Sequence, residues 1–216
     1  MRSAVMVLAF AAVHALTFSQ DISLPAPRTR VGVDVIDAIN ARTGARTFAE
    51  REVPPADLAT VLWAGCGVRR GVDATSAASK ALRTIPFSGD RPYLRLYLLD
   101  EQGAFWYDPV ANLLRRVAAD DVRDVVTARV IAGSPFMVLF VADLASAPAF
   151  MRSSPIAVPM QHAAAAAAGE NMAVVAAALG LDSLTMYGIN AAEAADALRL
   201  GADLVPLSVM QFGRRR

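Results

Sequence analysis

The spacing of apolar residues predicts helices in the first half of the chain. Val33, Ile36 and Ile39 recur every three residues and form one face of a helix, which Gly44 is well placed to end. A second helix is predicted to begin at Pro54–Pro55, because proline is favoured in the first helical turn.

The rest of the chain mixes strand and helix patterns. The segment 135–143 is a continuous apolar run, as expected for a central strand covered on both faces. Elements without strict β-α-β alternation favour an α+β fold. Other strands are predicted at 93–100, 104–109, 183–188 and 204–213, helices at 120–131, 161–179 and 190–200, and a loop or short helix at 65–83.

Six consecutive alanines, 163–168, lie inside the longest predicted helix. Alanine is the best helix former, and its small side chain lets another backbone approach closely. The run therefore predicts either a helix buried in the core or a helix packed against a second copy of the chain.

The first twenty residues have a composition of their own. Arg2 precedes an apolar run, 4–13, that is too short to span a bilayer, and small residues follow it. We interpret 1–20 as a signal peptide and 21–216 as the mature domain, which predicts a periplasmic or secreted protein without a membrane span. A buried N-terminal helix is the alternative.

Charge and rare residues exclude several kinds of chemistry. The net charge of +1 argues against general binding to nucleic acid or acidic membranes, so an anion site would be local. One cysteine, Cys66, and two histidines, His14 and His162, argue against a metal site and leave the catalytic residues unknown. No phosphate-binding glycine loop is present. An enzyme with this sequence would rely on a cofactor.

Arg42 and Arg46 enclose a glycine where the first predicted helix ends. Two fixed cations at this spacing are consistent with a helix C-terminus, where positive charge is mildly favourable. An anion site is the alternative, because guanidinium groups bind phosphate in a bidentate manner.

Several motifs occur in an order that resembles one family. They are "INARTGARTF", "LATVLWAGCGV", "RTIPFSG" before "LRLYLLD", "FWYDP", "GENMAVVAAALGLDSLTMYGI" and "LVPLSVMQFG". The chain resembles the flavin-dependent nitroreductase superfamily over residues 30 to 213. It is most similar to exported single-domain members and to azoline-dehydrogenase-like (SagB-type) oxidoreductases.

The resemblance implies a fold, a cofactor and an activity. The expected fold is a mostly antiparallel central sheet flanked by helices, in a homodimer that holds FMN at its interface. The expected activity is two-electron transfer to or from a small substrate, with NAD(P)H as electron donor by analogy only. The implied cofactor-binding residues are Arg42, Thr43, Gly44, Arg46, Pro86, Phe87, Ser88, Asp90, Tyr187, Gly188 and Arg214; Asn171 is expected to serve structure.

The sequence departs from the family pattern at three of these positions. Gly44 and Phe87 stand where serine is usual, and Asp90 stands near the usual asparagine. Phe87 would either stack on the flavin ring or block it, and Asp90 would add negative charge beside it. The alternative function is therefore a degenerate nitroreductase-fold binding protein without flavin chemistry. Segments 67–80 and 144–159 are expected to line the mouth of the pocket.

Overall fold

A computed structural model describes residues 21–69, 82–152 and 154–216. At Asp90 it describes the main chain but not the side chain. The predicted signal peptide and most of the segment 67–80 lie outside this described part. Within it, no helix combines the length and the apolar character needed to cross a membrane.

Seven strands of the described residues form one antiparallel sheet in the order β1-β4-β3-β2-β5-β7-β6. The prediction of an α+β fold with a mostly antiparallel sheet is confirmed. The strands are β1 Ile22–Ser23, β2 Leu94–Asp100, β3 Gly103–Asp108, β4 Leu113–Ala118, β5 Phe136–Asp143, β6 Leu181–Met186 and β7 Leu204–Arg214. The helices are α1 Val35–Ala41, α2 Pro55–Cys66, α3 Arg123–Val126, α4 Ala149–Arg152, α5 Ala157–Ala178 and α6 Ala191–Ala197.

Strand β5 is the central strand that its apolar run predicts. All eight of its residues are buried, and it pairs with β2 on one side and β7 on the other. On one face of the sheet, α2 and α5 cover a large core that includes Phe140 and Met172. On the other face, α3 and α6 cover a second core around Leu139 and Val209.

Helix α1 is held against α5. The Asp34 side chain caps its N-terminus by accepting a 2.8 Å hydrogen bond from the Ile36 N–H. The helix ends at Ala41, and Arg42 is already extended. Gly44 therefore does not end the helix; it forms a bridge with β6 instead.

The helix predicted at 120–131 is only four residues long. The buried side chain of Gln211, in β7, accepts a 2.7 Å bond from the Ile131 N–H and donates a 2.7 Å bond to the Arg129 carbonyl. These bonds hold the main chain in an irregular path, so the helix stops at Val126.

Candidate functional site

The segment containing the two arginines runs along an edge of the sheet. Strand β6 is the last strand in the order, and Gly44 forms a parallel bridge with its Ser183. The Ala45 N–H donates a 3.1 Å hydrogen bond to the Ser183 carbonyl. The arginine segment, which we define as residues 42–46, is therefore fixed beside an edge strand.

Beyond this bridge, β6 presents further main-chain groups toward the same open edge of the sheet. Main-chain groups alternate along a strand, so Thr185 points its N–H toward the same edge as Ser183. No main-chain or side-chain group of the described residues accepts a hydrogen bond from it. Tyr187, 70% exposed, and Gly188 follow directly. A Cβ at Gly188 would meet nothing within 4 Å, so the edge is open there.

The two arginines differ in their partners. The Arg42 Nε lies 3.0 Å from the Glu170 Oε1 on α5. Arg46 makes no hydrogen bond or ion pair with any residue in the described ranges, and it is exposed. Arg46 is therefore the guanidinium that a ligand at this edge meets without displacing a protein carboxylate.

A third guanidinium, Arg215, lies at the start of the arginine segment. Its Nε donates a 2.9 Å bond to Asp182 Oδ1, which also accepts a 3.0 Å bond from the Thr43 hydroxyl. Its Nη2 donates a 2.9 Å bond to the Ala41 carbonyl, at the end of α1. Arg215 is a site residue that the sequence motifs did not indicate, although alternation continued past the end of β7 points residues 214 and 215 to opposite sides.

Arg214 lies on the other side of β7 and is fully engaged there. Its guanidinium donates to the Glu52 carbonyl at 3.3 Å, to the Leu179 carbonyl at 3.1 Å and to the buried Asp57 carboxylate at 3.4 Å. Asp57 also accepts a 2.7 Å bond from the Nε of Arg28. In this arrangement Arg214 ties the C-terminus of α5 to the N-terminal turn of α2.

A groove of about 570 Å³ lies between α1, α2 and α5. Glu170 lines it, so its ion-pair partner Arg42 stands at the rim. Asn171 also lines it and donates bonds to the carbonyls of Ala64 at 3.4 Å and Thr84 at 3.3 Å, a structural role. The remaining lining residues are mostly apolar: Val35, Ile39, Trp63, Ala64, Arg69, Thr84, Val174 and Val175.

The segment 86–90 lies beyond the far wall of this groove. The ring of Phe87 packs edge-on against Tyr93, with centroids 4.9 Å apart, and does not line the groove. With Pro86 it lines a smaller cavity of about 330 Å³ that shares Arg69 and Thr84 with the groove. Ser88 begins a 3₁₀ turn that ends at Asp90, whose side chain lies outside the described part.

The site residues therefore fall into three groups. The arginine segment pairs with β6 at Ser183, Tyr187 and Gly188 follow the end of β6, and the groove begins next to Arg42. The 86–90 segment does not line the groove, and Arg214 is turned away. Main-chain donors and one unpaired cation are the chemistry that this arrangement offers to an anionic ligand.

Other reactive groups do not form a site in the described residues. They contain no cluster of three histidine, cysteine, aspartate or glutamate side chains able to hold a metal. Burial raises the pKa of the Cys66 thiol to about 11, although the nearby Arg83 opposes the rise. At neutral pH Cys66 is protonated, as expected of a thiol buried in the core.

Comparisons with known proteins agree on one family. A model described as the nitroreductase family matches residues 39–214. The structure is similar to a crystal structure of a candidate nitroreductase from Ralstonia eutropha JMP134, with a TM-score of 0.79 and 26% identity over 93% of this chain and 91% of that one.

Two more distant structures share the fold. A candidate nitroreductase from Anabaena variabilis has a TM-score of 0.71 and 18% identity over 93% of this chain, which covers 42% of that protein. The E. coli microcin synthetase McbBCD complex with truncated pro-MccB17 has a TM-score of 0.64 and 15% identity over 100% of this chain and 85% of that one. No curated protein matches the chain.

Proposed function

The chain belongs to the nitroreductase family, and from this premise we propose that it is an FMN-dependent oxidoreductase active as a homodimer. The observation that carries the proposal is the arginine segment along β6. There, Gly44 and Ala45 pair with β6 at Ser183, Arg46 follows them without a partner among the described residues, and the N–H of Thr185 points toward the same edge of the sheet as Ser183.

The residues present fit FMN. Phosphate and the pyrimidine edge of a flavin are hydrogen-bond acceptors, and the edge of β6 supplies donors and a fixed cation. The groove of about 570 Å³ is within the size range of cofactor pockets and is largely apolar, as a flat ring requires. Gly44 does not oppose this fit, because a side chain there would make only an ordinary contact with Leu184 at 3.6 Å.

The protein's part in the reaction is electrostatic. FMN, when bound, supplies the two-electron chemistry. Arg46 and the main-chain donors of β6 stabilise negative charge at this edge, and the apolar groove walls exclude water from it. No side chain of the described site is placed as an obligatory general base, so the catalytic residues remain unassigned.

The test is FMN binding by the purified mature protein. We expect a yellow protein with flavin absorbance, and we expect Arg46→Gln to weaken FMN binding tenfold to hundredfold, because a hydrogen bond to a charged group contributes about 1.5–3 kcal/mol. Arg199→Gln is the matched control, since Arg199 is an exposed arginine after α6 on the other face of the sheet. A colourless protein that does not take up added FMN refutes the proposal.

The homodimer is supported by an uncovered apolar face of α1. Val35, Ile36 and Ile39 are 59%, 60% and 49% exposed in the single chain. On α5, Ala163 and Ala166 are exposed while Ala164, Ala165 and Ala168 are buried, so the alanine run has one face in the core and one face free for a second copy. Association would bury both surfaces and close the groove.

A binding protein without flavin chemistry is the alternative function. The ion pair of Arg42 with Glu170 favours it, because it places a carboxylate where an anionic cofactor would approach. Mass spectrometry of ligands released from freshly isolated protein separates the two functions. A bound molecule other than FMN supports the alternative.

Two finer parts of the proposal concern the electron donor and the location. NAD(P)H is proposed by analogy, since proteins of this fold include one described as a candidate NADH dehydrogenase/NAD(P)H nitroreductase from Bacteroides thetaiotaomicron. Anaerobic reduction of the bound flavin by NADH or NADPH tests the donor. Export through residues 1–20 is tested by cell fractionation and N-terminal sequencing.

A further inference from the structure

A third cavity lies at the end of the sheet where β2 begins and β3 ends. It has a volume of about 220 Å³, shares no lining residue with the groove, and reaches the surface beside the exposed Val110. Its apolar walls include Pro92, Leu94 and Leu96. The polar residues that line it include Cys66, Arg83, Arg95, Tyr107, Asp108, Asp143 and Ser146.

Tyr107 is the unexplained polar group of this cavity. Its side chain is only 2% exposed, yet its hydroxyl has no hydrogen-bond partner among the described residues. Tyr107 lines the same cavity as Cys66 and Arg83. Burial raises the pKa of its hydroxyl, Cys66 adds to the rise, and Arg83 opposes it. A ligand in the cavity that accepts a hydrogen bond from this hydroxyl adds a bond that the described residues leave unmade.

The two carboxylates that line this cavity have guanidinium partners of their own. Asp108 accepts bonds of 3.1 and 2.8 Å from Arg115, and Asp143 accepts a 2.8 Å bond from Arg95. Neither aspartate depends on Arg83 for neutralisation. A guanidinium has five N–H donors, so Arg83 can keep its other contacts and still donate into the cavity.

We propose that this cavity binds a short aliphatic carboxylate. The Tyr107 hydroxyl and the Arg83 guanidinium donate to its carboxylate oxygens, and the alkyl chain packs against Leu94 and Leu96. The cavity holds roughly the volume of seven water molecules, which suits a chain of a few carbons. Such a site is separate from the edge of β6 and does not require FMN.

Calorimetric titration with sodium butyrate tests the proposal, and butyramide is the neutral probe of the same shape. We expect saturable butyrate binding and at least tenfold weaker butyramide binding, because the neutral amide lacks the charge-assisted bonds. Tyr107→Phe removes one donor and is expected to weaken butyrate binding roughly tenfold or more. Tyr93→Phe is the matched control, since Tyr93 is a buried tyrosine that does not line the cavity.

Two further measurements locate the site. Arg83→Gln should abolish the preference for butyrate over butyramide, and it provides a second variant if Tyr107→Phe is unstable. Cys66 is the only cysteine of the chain, so slower reaction with a methanethiosulfonate in the presence of butyrate reports occupancy of this cavity alone. The proposal is overturned if butyrate gives no saturable heat, if butyramide binds equally well, or if binding is the same in wild type, Tyr107→Phe and Arg83→Gln.

Discussion

Gly213 in β7 controls the position of the segment that carries the arginines. A Cβ at this position would lie 2.5 Å from Cγ, 2.7 Å from Cβ and 2.8 Å from Cδ1 of Phe48. Phe48 is buried against Ala45, Ile131 and Leu184 and so cannot move into solvent without losing that packing. Since carbon atoms pack at about 3.5–4.0 Å, Gly213→Ala should displace Phe48 by roughly 1 Å.

The expected magnitude combines two opposing effects. Overpacking of a buried site destabilises by about 1–3 kcal/mol, and replacing glycine in the unfolded chain returns about 0.4–1 kcal/mol. We expect Gly213→Ala to lower the free energy of unfolding by roughly 1–2 kcal/mol, which corresponds to a fall in Tm of about 2–8 °C. Urea unfolding followed by circular dichroism measures it.

Gly201→Ala is the matched control, because a Cβ there meets nothing within 4 Å and the expected change is within about 0.5 kcal/mol of zero. A double-mutant cycle with Phe48→Ala isolates the contact. In that background the penalty of Gly213→Ala should shrink, since Cγ and Cδ1 are gone and only the 2.7 Å approach to the Cβ of residue 48 remains. Equal stability of wild type and Gly213→Ala would refute the packing of Phe48 on β7.

Three further predictions follow from buried charges and exposed apolar residues. Asp57→Asn should lower the free energy of unfolding by about 1–3 kcal/mol in urea unfolding, because the buried carboxylate holds two guanidinium groups, whereas the exposed Asp37→Asn should change little. Burial alone would raise the pKa of Asp143, but the ion pair with Arg95 and the bonds from Ser146 outweigh it and lower the pKa. The Asp143 carboxylate therefore contributes to the free energy of unfolding above its unfolded pKa of about 3.9, and this contribution is lost as pH falls through the lower folded pKa. Below about pH 4, the free energy of unfolding of Asp143→Asn should depend less steeply on pH than that of wild type. Ile36→Ser should shift the protein from dimer to monomer in light scattering without a large loss of monomer stability; an unchanged mass contradicts the proposed role of the α1 face.

The sequence predicted the regular elements whose patterns are local. The apolar run of β5 and the alternation of β2 and β3 are visible without tertiary information. Strand β4 was missed because Arg115 and Arg116 interrupt its apolar pattern; in the structure Arg115 pairs with Asp108 and lies 5.9 Å from the Trp106 ring. Whether a segment with such an interrupted pattern forms a strand depends on partners that only the fold brings together.

The candidate site was predictable in its chemistry but less so in its geometry. The motifs indicated the arginine segment and the 183–188 strand, and the fold places them side by side. They could not indicate that Arg214 is engaged by Asp57, because that contact joins positions 157 residues apart. The spacing of Val33, Ile36 and Ile39 predicts a helix, and α1 contains Ile36 and Ile39 but begins after Val33. An apolar face alone does not reveal whether the core or a second copy covers it.

The four-residue spacing of Arg42 and Arg46 has a different meaning in the folded chain than on a helix. Arg42 is extended, and the segment runs along β6, so the two Cα atoms can lie up to about 13 Å apart, compared with about 6 Å on a helix. Arg42 pairs with Glu170 on α5, whereas Arg46 lies in a bend just after the bridge to β6 and is exposed. At this separation the two guanidinium groups would contact different parts of a ligand. Only Arg42 would have to leave a carboxylate partner, Glu170, in order to bind it.

This difference predicts that Glu170→Gln tightens FMN binding. The ion pair is exposed on both sides, and exposed pairs contribute about 0.2–1 kcal/mol, so releasing Arg42 should strengthen binding by up to about fivefold. Fluorescence titration of the apoprotein with FMN measures the change, and high salt should reduce the difference between variant and wild type because the competing charge is screened. Weaker FMN binding by Glu170→Gln would instead mean that Glu170 itself supports the ligand, and the ion pair would then be part of the site and not a competitor for it.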